Sequence, residues 1–333
     1  MSISLEGLRK DGPVLTLRVN CPTQLSDAVL AILRDQPAVS ALSVLRGASE
    51  IPEGDLIFAD IPRETANEVI TALRAAGVDQ SGTIVLNDAD TWISRAAFDA
   101  EAQAPGADSD AVVWASVIER AYNDSALTWT FVSFMVLATA LAAIAIVTDS
   151  IILVIAAMVL GPEFTAVASL GLALVRKRPR LFRRALSSLV IGFSASILVV
   201  AALAFVAQHF DLISVDELTR TRPGTSFIYS PNMWSLVVAV IAGAAGVLAL
   251  TSAQSGGLVG VFISVTTIPA SGDAALALVF GRWSELAGSL TQLVVNIGGM
   301  ALAGWATLAL QHVVWNRVTT RARRSARPEP VDQ

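Results

Sequence analysis

The stretch "DSIILVIAAMVLGPEFTAVASLGLALV", Asp149–Val175, decides how this chain is read. It is apolar over the length of a bilayer crossing, which takes roughly 20 residues of α-helix. Yet Gly161, Pro162 and Glu163 interrupt it near the middle. Proline has no N–H to donate and its ring opposes the preceding turn, so the helix must kink or break there. In lipid the freed backbone groups are costly unless protein groups or a wet cavity satisfy them. A break at this depth therefore points to a buried or solvated site.

A second stretch, "SGGLVGVFISVTTIPASGDAALALVFG" (Ser255–Gly281), has the same layout. An apolar half leads to a proline, Pro269, then to a small or polar step and a second half ending in Ala-Leu-Ala-Leu. Six apolar segments in all are long enough to cross, at about residues 127–147, 151–175, 185–207, 233–252, 256–280 and 286–310. The broken ones are the second and the fifth. With three spans per half they run in opposite directions, which is the pattern of an inverted 3+3 repeat with two discontinuous helices. Two such breaks bring two half-helix N-termini, each with about half a positive charge, near the midplane.

The charges inside the apolar region are carboxylates: Glu163 and Asp273 near mid-span, and Asp149 at an outer rim. Intramembrane carboxylates are expensive and tend to mark ion or proton pathways. The candidate transport or binding residues are Gly161, Pro162, Glu163, Thr267, Pro269, Ser271, Asp273 and Asn296. Thr165, Gln254, Ser255, Thr266 and Gln292 are further polar candidates. The plainer alternative for Glu163 is a capping residue at the start of a half-helix, since Pro-Glu is a good helix opening. Capping explains Asp273 less well, because it lies four residues past Pro269. The runs around Ala242–Gly246 and Gly299–Gly304 read as close helix packing.

Composition divides the 333-residue chain. It is 54% hydrophobic with a mean hydropathy of +0.62, outside the range of ordinary soluble domains. Residues 1–126 hold 9 Lys/Arg against 19 Asp/Glu, and residues 127–333 hold 14 against 9. An acidic N-terminal domain argues against nucleic acid as a partner. Its hydrophobic pattern gives β-α-β-β-α-β: strands at Val14–Val19, Val39–Arg46, Gly54–Ile61 and Gly82–Asn87, helices at Thr23–Pro37 and Arg63–Val78, with Gly77 as C-cap. That order predicts an α+β ferredoxin-like sandwich at residues 1–98. Residues 99–126 form a linker and an amphipathic helix, with Val113, Val117 and Ala121 on one face and Trp114, Tyr122 and Trp129 as anchors. The six spans occupy 127–312, and 313–333 form a basic tail.

Two basic clusters, Arg176–Arg184 and Arg317–Arg327, mark cytoplasmic ends. "MSISLEGLRKDG" has no apolar core of signal-peptide length, and Cys21 is the lone cysteine. These features predict a multi-pass protein of the bacterial inner membrane with both termini cytoplasmic. Its partners would be the lipid bilayer, further copies of itself, and a small ion or solute. No cofactor and no enzymatic activity are expected. His209 and His312 sit at span ends, and there is no nucleophile–base pair or metal-ligand cluster.

"DSIILVIAAMVLGPEF", "SGGLVGVFISVTTIPASGDAALAL" and "LVVNIGG" together resemble the bacterial and archaeal membrane proteins grouped as domain of unknown function 389. The resemblance covers about residues 127–310, in the branch whose second-span motif reads Gly-Pro-Glu-Phe, here Gly161–Phe164. It implies a membrane protein of unassigned activity. The sequence expectation is a channel or secondary transporter whose pathway lies at the broken spans. Its rival is a membrane-anchored sensor or scaffold whose ferredoxin-like domain binds a ligand or partner.

Overall fold

The computed structural model describes residues 14–89, 94, 112–213, 233–251 and 267–325. The chain forms two compact units. One comprises Met1–Val117, Thr251–Gln254 and Val314–Gln333; the other comprises Ile118–Leu250 and Ser255–Val313. The expected linker at 99–111 lies outside the described residues.

In the first unit, β1 (Val14–Cys21), α1 (Thr23–Arg34), β2 (Ala41–Glu50), β3 (Glu53–Pro62), α2 (Arg63–Ala75), the short α3 (Val78–Ser81) and β4 (Thr83–Asp88) follow in order. The strands form one antiparallel sheet in the order β2-β3-β1-β4, the connectivity of a split βαβ sandwich. Strand periodicity sets the faces. Leu15, Leu17, Val19 and Cys21 of β1 are buried, while Arg18 between them is exposed. Leu17 pairs with Ala59 on one side and Leu86 on the other. Against that face α1 buries Val29, Leu30 and Leu33, and α2 buries Ala66, Val69, Ile70 and Leu73, the i, i+3, i+4 spacing of one helix stripe. Gly77, at φ 81°, ends α2 in the left-handed conformation that glycine alone adopts without strain. It follows the C-cap residue Ala76 rather than being the cap itself. Asn67 of α2 accepts from the Trp114 amide (3.1 Å) and donates to the Val112 carbonyl (2.7 Å), and so fixes the entry to α4 (Trp114–Asp124). Val113, Val117 and Ala121 are buried, as their spacing predicts.

The β2–β3 hairpin is held by Asp55. Its carboxylate accepts from the Gly47 amide (2.8 Å) and from Arg46 Nη1 (2.7 Å). Hydrogen bonds from Ser26, Gly47 and Arg46 lower its pKa from 3.8 to about 2. A carboxyl with a depressed folded-state pKa stabilises the fold above its unfolded value and loses that contribution as pH falls through the folded value. Stability of this unit is therefore expected to fall between about pH 3.8 and 2. Asp55→Asn should flatten that step, and hydrogen exchange of the β1 and β3 amides across this range would show it. An unchanged step in the variant would assign the acid sensitivity to other carboxylates.

The second unit is helical: α5 (Trp129–Val147), α6 (Ile151–Leu160), α7 (Phe164–Val175), α8 (Pro179–His209), α9 (Met233–Thr251), α10 (Ile268–Val279) and α11 (Trp283–Ser325). Four helix ends share one device. Asp149, Lys177, Asp211 and Gly281 are left-handed, and the next residue's N–H returns to a carbonyl five positions back. The bonds are Ser150 to Ala145, Arg178 to Ala173, Leu212 to Ala207 and Arg282 to Ala277, each 2.9 Å. This is the Schellman closure, which satisfies carbonyls that a helix end leaves open. Asp149, expected at a rim, is one of these chain-reversing residues.

Among the described residues, three helices are long and apolar enough to cross a membrane: Trp129–Val147, Pro179–His209 and Trp283–Gln311. The pair α6 and α7, bent by 56° across a short break, makes a fourth if counted as one span. Of the six spans expected, the other two are represented by shorter apolar helices, Ser235–Thr251 and Ile268–Val279. The half of the fifth span that precedes Thr267 lies outside the described residues. The basic cluster Arg176–Arg184 is not a loop throughout. Pro179 opens α8, because the first helical position needs no N–H, so Arg180, Arg183 and Arg184 are helical. The tail expected from residue 313 is helical to Ser325, since no proline or glycine interrupts the chain between Gly304 and Pro328.

Many alanines of the helical unit are buried, and many of its large apolar residues are exposed. Ala138, Ala142, Ala166, Ala185 and Ala239 are buried, whereas Ile152 is 79% exposed and Val294 70%. Among solvents, lipid rewards that arrangement. The elements also recur along the chain at one interval. Met233–Thr251 follows Trp129–Val147 by 104 residues, Ile268–Val279 follows Phe164–Val175 by the same distance, and α11 follows α8 likewise at their first residues. The left-handed residues Lys177 and Gly281 obey the same offset. So do two copies of Leu-Ala-Leu-Val, Leu172–Val175 and Leu276–Val279.

Candidate functional site: buried polar contacts at the helix breaks

The break in the stretch Asp149–Val175 is local. Gly161 takes an extended ψ of 120°, as the residue before a proline prefers, and ends α6. Pro162 follows, and Glu163 is the N-cap residue of α7, with φ −69° and ψ −16°. The alternative reading of Glu163 as a capping carboxylate is not met, because its side chain makes no capping bond to α7. Instead, Glu163 Oε1 accepts a hydrogen bond from Thr267 Oγ1 at 2.7 Å, and both residues are fully buried. Thr267 is the N-cap residue of α10. The contact thus joins the starting residues of two twelve-residue helices.

Pro269 sits in the first turn of α10, where a missing N–H costs nothing. It is therefore not the counterpart of Pro162, which lies between helices. The offset of 104 residues pairs Glu163 with Thr267 instead.

Two more buried hydroxyl contacts fix α10. Ser271 Oγ donates to the Ile268 carbonyl (2.7 Å), so Thr139 Oγ1 of α5, 2.9 Å away, donates to Ser271. Next to it, a Cβ on Gly272 would lie 2.8 Å from Ala142 Cβ, so α10 packs against α5 at backbone distance. Two residues on from Ser271, Asp273 Oδ2 accepts from Ser289 Oγ of α11 at 2.6 Å, with Asp273 1% exposed. Asp273 lies six residues before the end of α10 and Ser289 six after the start of α11, so the two helices form an antiparallel hairpin. Gln292 and Asn296 follow Ser289 at i+3 and i+7 on the same buried stripe, 2% and 0% exposed. Counting along the hairpin at 1.5 Å per residue, Asn296 lies about 10 Å above Ser289 and Thr267 about 9 Å above Asp273. Asn296 is therefore level with the Glu163–Thr267 contact.

The polar groups form a file from Asp273–Ser289 through Gln292 to Glu163–Thr267 and Asn296. Among the described buried residues of this unit there is no Lys, Arg or His. Gly161 and Pro162 open on a cavity of about 490 Å³, also lined by Thr128, Thr130 and Thr165. Glu163 and Asp273 do not line it. Thr165 instead binds the Asp124 carbonyl (3.1 Å). Gln254, Ser255 and Thr266 lie outside the described residues. Sequence reasoning missed Ser289 and Thr139. Ser289 was within reach, because "SLTQLVVN" places Ser289, Gln292 and Asn296 on one helical stripe. Thr139, a single hydroxyl in an alanine run, carries no signal of its own.

Residues 158–302 match the protein family described as "Domain of unknown function (DUF389)". An uncharacterized protein of Methanocaldococcus jannaschii is 26% identical over 163 residues, which cover 49% of this chain and 48% of that protein. The chain thus spans about half the length of the curated relative it matches. No solved structure matches the chain. The matched segment runs from Met158, just before the break, past Asn296, and so takes in the contacts of α10 described above except those to Thr139 and Ala142 of α5. The helical unit of this protein is thus similar, over residues 158–302, to the DUF389 domain.

Proposed function

We propose that the helical unit is a six-span membrane domain of two inverted three-span halves, and that it passes an ion or small solute as a channel or secondary transporter. The observation that carries the reading is the Glu163–Thr267 contact. Residues at equivalent positions of two halves can touch only near the axis that relates those halves. For inverted halves that axis lies in the membrane plane, so the contact sits at mid-depth. A buried carboxylate at that depth, placed between two helix N-termini, is the arrangement from which several transporter folds build a pathway. The remaining site residues, Gly161, Pro162, Pro269, Ser271, Asp273 and Asn296, surround or support it. The protein would lie in a bacterial inner membrane as a homo-oligomer, with both termini and both basic clusters on the cytoplasmic side.

Flux through proteoliposomes tests this directly. Glu163→Gln keeps the shape and removes the charge. It should reduce flux of the transported ion at least about tenfold, the equivalent of one charge-assisted hydrogen bond. Flux equal to wild type in a folded variant would remove Glu163 from the pathway. Absence of flux for every common ion in wild-type liposomes would favour a membrane-anchored sensor instead.

A further inference from the structure

We infer that Asp273, Ser289 and Gln292 form a binding site for a monovalent metal cation of the sodium class. The inference names a substrate or coupling ion for the proposed pathway and rests on that reading. Three observations carry it. First, Asp273 and Ser289 are joined at 2.6 Å in the α10–α11 hairpin, and both are buried. Second, Gln292 Oε1, one turn further along the same stripe, is buried and accepts no hydrogen bond among the described residues. A turn of helix puts it about 4.5 Å along the axis from Ser289. A buried carbonyl oxygen without a donor is costly and calls for a positive group or a water. Third, the equivalent positions of the first half are filled differently. Ser169, 104 residues before Asp273, donates to the Thr165 carbonyl of its own helix (2.6 Å), with the Ala121 carbonyl 3.4 Å away, and Ser188, 104 residues before Gln292, donates to the Ser125 carbonyl (2.8 Å). Small hydroxyls therefore suffice for packing at these positions. The second half replaces them with a carboxylate and an amide.

The donor set decides the ligand. It consists of oxygens from a carboxylate, a hydroxyl and an amide, which suit hard cations. A single carboxylate balances one positive charge. Calcium sites gather six to eight oxygens, often with several carboxylates. Among the described residues no group of three or more His, Cys, Asp or Glu exists to supply them. An anion would have to enter beside Asp273 with no buried cation in the described part of the unit.

The test is equilibrium binding, which requires no transport. The purified full-length protein in detergent is titrated with NaCl, LiCl or KCl against choline chloride at constant chloride, reading thermal stability and radiolabelled sodium binding. At least one alkali ion should stabilise the protein saturably where choline does not. Asp273→Asn and Gln292→Met, both close in volume to the original residues, should weaken half-saturation at least about tenfold, as expected when a site loses a ligand. Ser187→Ala, an exposed hydroxyl of α8 bonded to the Arg184 carbonyl, should leave it unchanged. Should neither alkali ion nor choline differ in effect on folded wild type, the site does not exist. Retention of the wild-type response by Gln292→Met would equally overturn it, whether or not Asp273→Asn folds. Ion binding without flux would sink the pathway and spare the site, while flux without an alkali-ion response would do the reverse.

Discussion

Thr267→Val is expected to destabilise the helical unit by about 2–3 kcal/mol, with Thr267→Ser staying within about 0.5 kcal/mol of wild type. Valine matches threonine in shape but cannot donate. The loss is therefore the 2.7 Å bond to Glu163 Oε1, made where both residues are fully buried. Removing one partner of a buried hydrogen bond costs about 1–3 kcal/mol. Serine keeps the hydroxyl and loses one methyl. Unfolding in mixed micelles, followed by the near-ultraviolet signal of Trp305 and its neighbours, gives the difference. The result separates two accounts of Glu163. If the glutamate served only to open α7, Thr267 would be irrelevant and Thr267→Val would be nearly neutral. The absence of a capping bond from Glu163 to α7 already favours the pairing.

The break itself was legible because proline and its predecessor obey local rules. Gly161 had to leave the α region and α6 had to end. The partner was not legible, because Thr267 lies 104 residues away and only tertiary packing brings it to Glu163. The repeat was half visible. The shared Leu-Ala-Leu ending is written in both stretches, but aligning them on Pro162 and Pro269 shifts the register by three residues. Those prolines do different jobs: one separates two helices and the other rides in a first turn. The β-rich unit was readable strand by strand, since alternation of Leu15, Leu17 and Val19 with polar neighbours can be satisfied by only one face inward. Helix ends were read less well. Lys177 and Asp211 take left-handed conformations that neither residue advertises, and the arginines after Pro179 lie in the first turns of α8, ahead of the start expected near residue 185.

Two glycines in the helical unit should respond in opposite directions to the same methyl group. Gly243→Ala in α9 is expected to cost about 2–3 kcal/mol, the upper part of the range for overpacking a core. Its Cβ would lie 2.4 Å from the Met300 carbonyl oxygen and 2.7 Å from Met300 Cα, atoms of the α11 backbone that no rotamer change can move. The two helices would have to part, and the contact of Gly304 with Val247 on the same seam would loosen with them. Gly298→Ala, on α11 itself, meets nothing within 4 Å. There the methyl group only removes freedom from the unfolded chain, so a gain of about 0.5–1 kcal/mol is expected. Thermal melting of both variants in one detergent, scored with monodispersity on size exclusion, checks the pair. Equal destabilisation by both would mean that the exposed face of α11 at Gly298 is itself covered, as an interface between copies of the chain would cover it. A neutral Gly243→Ala would instead show that α9 does not approach α11 at backbone distance.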